Sequence, residues 1–155
     1  MKLTLHEEIA APRASVWEEV TDIARFEAML AERGIEVRRT GGPEGATAAA
    51  GMAWRARAHW QGAERSFEAR LAEVHPPEAF RILVHSGGLK GEGRLTLEEL
   101  AEGRTRAMVA LRLTASGVAA RVLLGGLSVA SAQLEKRLAL ALDRYARRIE
   151  TTRGG

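Results

Sequence analysis

Four histidines are the side chains of this sequence best suited to metal binding or proton transfer near neutral pH. They are His6, His59, His75 and His85, and no two of them are spaced i, i+4 or form an HExxH motif. The alternation of the predicted strands puts three of them on polar faces and His75 in a turn. This pattern indicates four separate surface histidines, so we expect no metal and no other cofactor.

Nucleophilic and nucleotide-binding motifs are missing as well. The chain has no cysteine, which excludes disulfides, thiolate metal sites and a cysteine nucleophile. No Ser–His–Asp set can be assembled, because no histidine is predicted to face inward. The paired glycines at 41–42 and 87–88 do not join a strand to a helix in the spacing of a dinucleotide fingerprint. We therefore assign no catalytic residue.

A few polar side chains are nevertheless predicted on inward faces, where they could meet a bound molecule. They are Glu7, Arg65, Ser86, Glu99, Ser131 and Tyr145. The first interpretation is a solvated rim, because several of them fall near strand ends. The alternative is that Arg65 or Glu7 anchors a carboxylate or hydroxyl of a ligand.

The aromatic residues point more directly to a binding site. Trp54, Trp60 and Phe67 fall on the same face of two predicted strands as the small residues Ala56 and Ala69. The helix carrying Phe26, Met29 and Leu30 is expected to close the space above them. Small side chains rimmed by aromatic ones leave room for an apolar ligand, although a filled core is the alternative.

The elements that must position these residues follow from apolar periodicity. We predict a first strand, a short helix over 13–20, and a second helix that begins after Asp22 and ends at Gly34. Six strands follow, two of them joined at Gln61-Gly62 so that Trp54 faces Ala69. A stripe of leucines then predicts one helix over 118–149, with Gly125-Gly126 as a weak point.

Length and composition are those of one globular domain. The chain has 155 residues, of which 46% are apolar and 28% charged. We assign residues 1–150 to the domain and 151–155 to a polar tail. The acidic residues near the start do not fit a signal peptide, and no apolar stretch could cross a bilayer, which predicts a cytoplasmic protein without integral membrane contact.

The charge distribution argues against nucleic acid as a partner. The formal net charge is +3, and acidic residues alternate with arginines along the chain. A nucleic-acid-binding protein would instead gather its basic residues on one face. The sequence does not specify an oligomeric state.

The order of these elements predicts an α+β helix-grip fold. In it a seven-stranded antiparallel sheet curls around a long C-terminal helix, and two short helices follow the first strand. The sequence here resembles the START/polyketide-cyclase (SRPBCC) superfamily, which is related to the birch-pollen allergen. The resemblance rests on the order of elements and on residues 9–12 (IAAP), Val16-Trp17, Thr21-Asp22 and residues 103–106 (GRTR).

This resemblance implies a deep apolar cavity between the sheet and the C-terminal helix, and therefore a hydrophobic or amphipathic small molecule (lipid, polyketide or quinone-like) as partner. A cyclase or dehydratase without metal, assisted by Arg65, Glu7 or Tyr145, and an accessory or chaperone-type interaction protein are the alternatives. The residues expected to line the cavity are Phe26, Met29, Leu30, Trp54, Ala56, Trp60, Arg65, Phe67, Ala69, Ile82, Val84, Ser86, Leu127, Ser131 and Leu134.

Overall fold

A computed structural model describes residues 1–60 and 62–154 of the chain. Seven antiparallel strands form one sheet in the order β1-β7-β6-β5-β4-β3-β2. The strands are β1 (Lys2–Ile9), β2 (Glu36–Gly41), β3 (Ala53–Trp60), β4 (Ala63–His75), β5 (Ala79–Ser86), β6 (Leu89–Glu99) and β7 (Thr105–Ala115). The helices are α1 (Arg13–Val20), α2 (Ile23–Glu32), α3 (Val118–Val129) and α4 (Ser131–Ile149), and Glu150–Gly154 continues α4 as a π-helical turn. The predicted α+β helix-grip architecture is confirmed.

Local sequence explains where the two short helices begin and end. The Asp22 side chain accepts a hydrogen bond from the backbone N–H of Arg25 at 3.2 Å, which caps α2 as predicted. Gly34, just beyond α2, has a φ of +80°. Glycine adopts this left-handed conformation without the steric cost that a Cβ would impose, so the helix ends there.

The register of β3 against β4 is the predicted one. Trp54 pairs with Ala69, Ala56 with Phe67, and Arg55 with Glu68. Arg55 and Glu68 form an ion pair of 2.9 Å on the outer face. The connecting residue Gln61 lies outside the described residues.

The C-terminal helix differs from the single helix predicted over 118–149. It is broken at Ala130, where φ is −90° and ψ is 10°, whereas Gly125 and Gly126 are helical. The two halves rest on different parts of the sheet: α3 contacts β6 and β7, and α4 contacts β1.

The end of α4 is fixed to the first strand by a group of polar contacts. Arg147 donates to the Glu7 carboxylate at 2.7 Å, and Glu150 accepts from the backbone N–H of Ala10 at 2.7 Å. Arg153 bonds to the buried Glu19 of α1 at 3.0 Å. The segment assigned from sequence to a polar tail therefore includes a contact with α1.

Two groups of buried apolar residues flank the concave face of the sheet. One joins α1, β1, β6, β7 and the end of α4, and includes Ile9, Trp17 and Ile149. The other centres on Met52, Trp54 and Leu71. None of the helices among residues 1–60 and 62–154 combines the length and hydrophobicity needed to cross a bilayer.

Candidate functional site: an apolar cavity between sheet and helices

A cavity of about 560 Å³ lies between the concave face of the sheet and helices α2 and α4. All seven strands contribute to its wall, as does the last turn of α1. The lining residues are Leu5, Ile9, Val20, Ile23, Phe26, Glu27, Leu30, Val37, Ala48, Trp54, Ala56, Ala69, Leu71, Phe80, Ile82, Leu95, Ala107, Val109, Leu111, Leu138, Ala141, Leu142, Tyr145 and Ile149.

The space exists because the sheet presents small side chains where a filled core would need large ones. Ala56, Ala69 and Ala107 lie on the concave face on three different strands. Gly93 pairs with both Ile82 and Leu111, so it faces the same side and has no side chain to offer. Protein cores are packed nearly as densely as organic crystals, so a gap of this size is unusual unless something else occupies it.

Glu27 brings a carboxylate to the wall, where three hydrogen bonds hold it. Arg39 of β2 donates from Nε at 2.9 Å and from the second guanidinium nitrogen at 3.0 Å. Trp54 of β3 donates its indole N–H at 2.9 Å. The bonds from Arg39 lower the pKa of Glu27 most, burial raises it, and the Trp54 bond lowers it further, with a net lowering. The site therefore holds an ionised carboxylate whose charge is compensated by the protein.

Tyr145 is the second residue of the wall with a polar side chain. Its hydroxyl donates to the backbone carbonyl of Glu19 at 3.1 Å, and its ring lies 6.0 Å from that of Phe26. Burial raises the pKa of Tyr145 to about 12, and the negative charge of Glu19 adds to the effect. The phenol therefore stays protonated, and its proton is directed at the protein backbone.

Six of the residues expected from sequence line this cavity: Phe26, Leu30, Trp54, Ala56, Ala69 and Ile82. The side chain of Trp60 lies outside what the structure describes. Eight others are not part of the lining: Met29, Arg65, Phe67, Val84, Ser86, Leu127, Ser131 and Leu134. Ser86 instead donates its hydroxyl to the Ser66 carbonyl at 2.7 Å.

Most of these differences have one cause: the cavity lies closer to the turn between β4 and β5, and further along the C-terminal helix, than the sequence predicted. The cavity lies under the halves of β4 and β5 that adjoin the turn between them, so Leu71 and Phe80 line it and Phe67 and Ser86 do not. On the helix side it meets α4 from Leu138 onward. The Gly87-Gly88 turn lies at the other end of β5, where the Gly88 carbonyl accepts a hydrogen bond from the backbone N–H of Ser116 at 2.9 Å.

Glu27 is not among the site residues predicted from the sequence, although its position on α2 indicates that it faces inward. Ile23, Phe26 and Leu30 form the apolar stripe of α2, and Glu27 falls on the same stripe at i+4 from Ile23. An acidic residue on an inward stripe needs partners, and Arg39 and Trp54 supply them. Among the described residues, no three histidine, aspartate or glutamate side chains are placed to hold a metal ion.

Comparison with known proteins gives structural matches only. No protein-family model matches the chain, and no curated protein matches it in sequence. TTHA0849 from Thermus thermophilus superimposes with a TM-score of 0.64 at 15% identity, over 98% of this chain and 99% of that one.

Two further matches have descriptive names. The Zhui aromatase/cyclase of a Streptomyces species has a TM-score of 0.64 at 13% identity, over 96% of this chain and 94% of its own. Ara h 8.0201 has a TM-score of 0.60 at 16% identity, over 94% and 98%. Likeness at such low identity establishes the fold. The fold that the sequence resemblance implied is confirmed: the chain shares the helix-grip fold of these solved structures.

Proposed function

We propose that this protein binds a hydrophobic or amphipathic small molecule, of lipid, polyketide or quinone-like character, in the cavity between the sheet and helices α2 and α4. The observation that carries the proposal is the cavity itself, at about 560 Å³ with apolar side chains on nearly all of its wall. Ligand pockets of proteins commonly measure about 300–1,000 Å³ and are lined mainly by apolar groups.

The polar groups of the wall support a mainly apolar ligand. The Glu27 carboxylate is bonded to Arg39 and Trp54, and the Tyr145 hydroxyl is bonded to the Glu19 carbonyl. A ligand therefore meets few polar groups that lack a protein partner, and burial of its apolar surface would supply most of the binding free energy.

A cyclase- or dehydratase-type reaction has less support from this geometry. Glu7 and Arg65, two of the residues considered for it, are not among the lining residues. Tyr145 does line the cavity, but its raised pKa and its bond to Glu19 make it a poor proton donor or acceptor toward a ligand. Binding is therefore the function we propose.

Two measurements test the proposal. Native mass spectrometry of the purified protein is expected to reveal a co-purified apolar molecule. Titration with an environment-sensitive apolar dye is expected to show saturable binding to the wild type. Replacing Ala69 by Phe in the wall fills part of the cavity, and we expect it to weaken dye binding about tenfold or more, which corresponds to about 1.4 kcal/mol.

Ala110→Phe is the matched control. Ala110 is in β7 between the cavity-lining Val109 and Leu111, so its side chain points to the outer face of the sheet. The same change in volume there should leave dye affinity within about twofold. Equal loss in both variants, or a wild type that binds neither dye nor co-purified molecule, would refute the binding proposal.

A further inference from the structure

The side-chain hydrogen-bond donors at the cavity wall are bonded within the protein. Among the described residues that line the cavity, only Glu27, Trp54 and Tyr145 have polar side-chain atoms. The Trp54 indole N–H donates to Glu27 at 2.9 Å, and the Tyr145 hydroxyl donates to the backbone carbonyl of Glu19 at 3.1 Å. An ionised carboxylate has no proton to donate. A ligand in the cavity therefore finds no free side-chain donor among these residues.

The Glu27 carboxylate, in contrast, keeps one acceptor position. Its Oε2 atom accepts two hydrogen bonds, from Arg39 Nε at 2.9 Å and from the Trp54 indole at 2.9 Å. Its Oε1 atom accepts one, from the second guanidinium nitrogen of Arg39 at 3.0 Å. Each carboxylate oxygen has two lone pairs, so one lone pair of Oε1 has no partner in the part of the chain that the structure describes. The wall therefore offers a ligand an acceptor.

Arg39 supports this acceptor without lining the cavity itself. It is not among the lining residues, whereas Glu27 is. The wall therefore presents the carboxylate to a ligand, and the guanidinium compensates the negative charge at 2.9 Å. The bonds from Arg39 and Trp54 also hold the carboxylate in one orientation. An acceptor fixed in this way binds a donor without first losing the conformational freedom of its side chain.

We propose that the cavity selects neutral apolar molecules that carry a hydroxyl group, and that this hydroxyl donates a hydrogen bond to Oε1 of Glu27. The inference rests on the proposed binding function and narrows it. An alcohol, a phenol or a hydroquinone is preferred to a carboxylate, an ether or a quinone of the same skeleton. Hydrogen bonds to an ionised acceptor are roughly twice as strong as those between neutral groups, so one such bond in an apolar wall orients the ligand.

Ligands without a donor, and ligands with a charge, fit the same site less well. An ether or a quinone would cover the Glu27 carboxylate and leave its free lone pair without a partner, which costs free energy. A ligand carboxylate would add a second negative charge beside Glu27. An ammonium group would be left without a net counter-charge, because Arg39 already compensates Glu27. Burying an unpaired charge costs more than burying a neutral hydroxyl.

Three derivatives of one hydrocarbon test this selectivity: hydroxypyrene, methoxypyrene and pyrenecarboxylate, each substituted at the same ring carbon. Near neutral pH the first two are neutral and the third is an anion, and the fluorescence of pyrene reports binding directly. We expect the wild type to bind hydroxypyrene about tenfold more tightly than methoxypyrene. Pyrenecarboxylate should bind no more tightly than methoxypyrene. Ala69→Phe should weaken the binding of both neutral compounds, which would assign them to the cavity.

Glu27→Gln changes the atom that is offered to the ligand. The amide oxygen should take the place of Oε2, where two donors meet, so the NH₂ group takes the place of Oε1. The tenfold preference for hydroxypyrene over methoxypyrene should then fall to about one, although the sizes of the two ligands are unchanged. Glu32→Gln, at the exposed end of α2, is the matched control and should keep the preference. The comparison of ligands in the wild type does not depend on either variant being folded.

The possible failures of this inference differ from a failure of the binding proposal. Equal binding of hydroxypyrene and methoxypyrene by the wild type, with both weakened by Ala69→Phe, would overturn the inference and leave cavity binding in place. Tightest binding of pyrenecarboxylate would overturn it as well. So would a preference for hydroxypyrene that Glu27→Gln leaves unchanged, since the hydroxyl would then donate elsewhere. If the wild type binds none of the three compounds and no apolar dye, the binding proposal itself fails.

Discussion

The indole N–H of Trp54 donates a hydrogen bond of 2.9 Å to the carboxylate of Glu27, and this bond joins the sheet to the helix that covers it. Trp54 is only 8% exposed and Glu27 projects from α2 toward the cavity. Arg39 from β2 holds the same carboxylate. One acidic side chain thus connects α2, β2 and β3 at the cavity wall, where apolar packing is interrupted by the cavity itself.

We expect this bond to appear as an energetic coupling between the two residues. In a double-mutant cycle of Trp54→Phe and Glu27→Leu, which removes the acceptor, urea unfolding should give a coupling of about 1.5 kcal/mol, the lower end of the usual contribution of a hydrogen bond to a charged group. Phenylalanine keeps most of the ring volume, so the cycle isolates the N–H. A coupling below about 0.3 kcal/mol would mean that the bond does not stabilise the protein.

The Glu27 carboxylate should make the free energy of unfolding depend on pH in the acid range. Folding lowers the pKa of Glu27 from about 4.5, mainly through Arg39. The ionised carboxylate is therefore favoured in the folded state. The stabilisation that it gives is complete above the pKa of Glu27 in the unfolded chain. It is lost as the pH falls through the lower pKa of Glu27 in the folded protein. Glu27→Gln should cost about 1 kcal/mol at pH 7.

The difference in unfolding free energy between wild type and Glu27→Gln should then shrink as the pH falls below about 4.5. Equilibrium unfolding at a series of pH values measures it. Glu32→Gln, at the exposed end of the same helix, is the control. If Glu27→Gln lowers the free energy of unfolding equally at pH 7 and at pH 3, the stabilisation does not come from the charge of Glu27.

The sequence predicted the fold well because the fold depends on local patterns. Alternating apolar residues fixed the faces of the strands, and the pairing of Trp54 with Ala69 followed from requiring the apolar faces of β3 and β4 to coincide. The capping role of Asp22 and the stop at Gly34 are equally local. Each of these features is determined by a few neighbouring residues.

The position of the cavity along the helix could not be predicted in the same way. The leucine stripe of the C-terminal segment gives the face of the helix but not its translation along the sheet. Leu127 and Leu134 share the stripe with Leu138 and Leu142, yet only the last two line the cavity. The apolar stripe also runs through Ala130 without a sign of the break there, although α3 and α4 contact different strands.

Two residues of α4 provide a test of how the helix packs. Ile149 is 1% exposed in the group that includes Trp17 and Ala107, whereas Leu140 is 52% exposed. Ile149→Ala is expected to lower the free energy of unfolding by about 2–5 kcal/mol, as other large-to-small changes in cores do. Leu140→Ala should stay within about 0.5 kcal/mol of the wild type.

Urea unfolding of both variants measures these values. Leu140 is nine residues before Ile149 on the same helix, and both changes to Ala remove three carbon atoms, so the comparison isolates the effect of burial. Similar losses of unfolding free energy in the two variants would show that α4 does not bury the face that carries Ile149.

Tyr145 gives a prediction at the alkaline end of the pH range. Burial raises its pKa to about 12. The folded state thus favours the neutral phenol. The resulting stabilisation is complete below the unfolded pKa of about 10 and is lost as the pH rises toward 12. Wild-type stability should therefore fall between about pH 10 and 12 by more than that of Tyr145→Phe.

Tyr145 is the single tyrosine of the chain, so the absorbance of the tyrosinate form reports its ionisation directly. In the native protein we expect a titration midpoint near 12, and in the unfolded protein near the ordinary value of 10. Tyr145→Phe also removes the hydrogen bond to the Glu19 carbonyl, so it should cost about 1 kcal/mol at neutral pH. A native midpoint near 10 would mean that the phenol is exposed to water, and the cavity wall at α4 would then be open where the structure closes it.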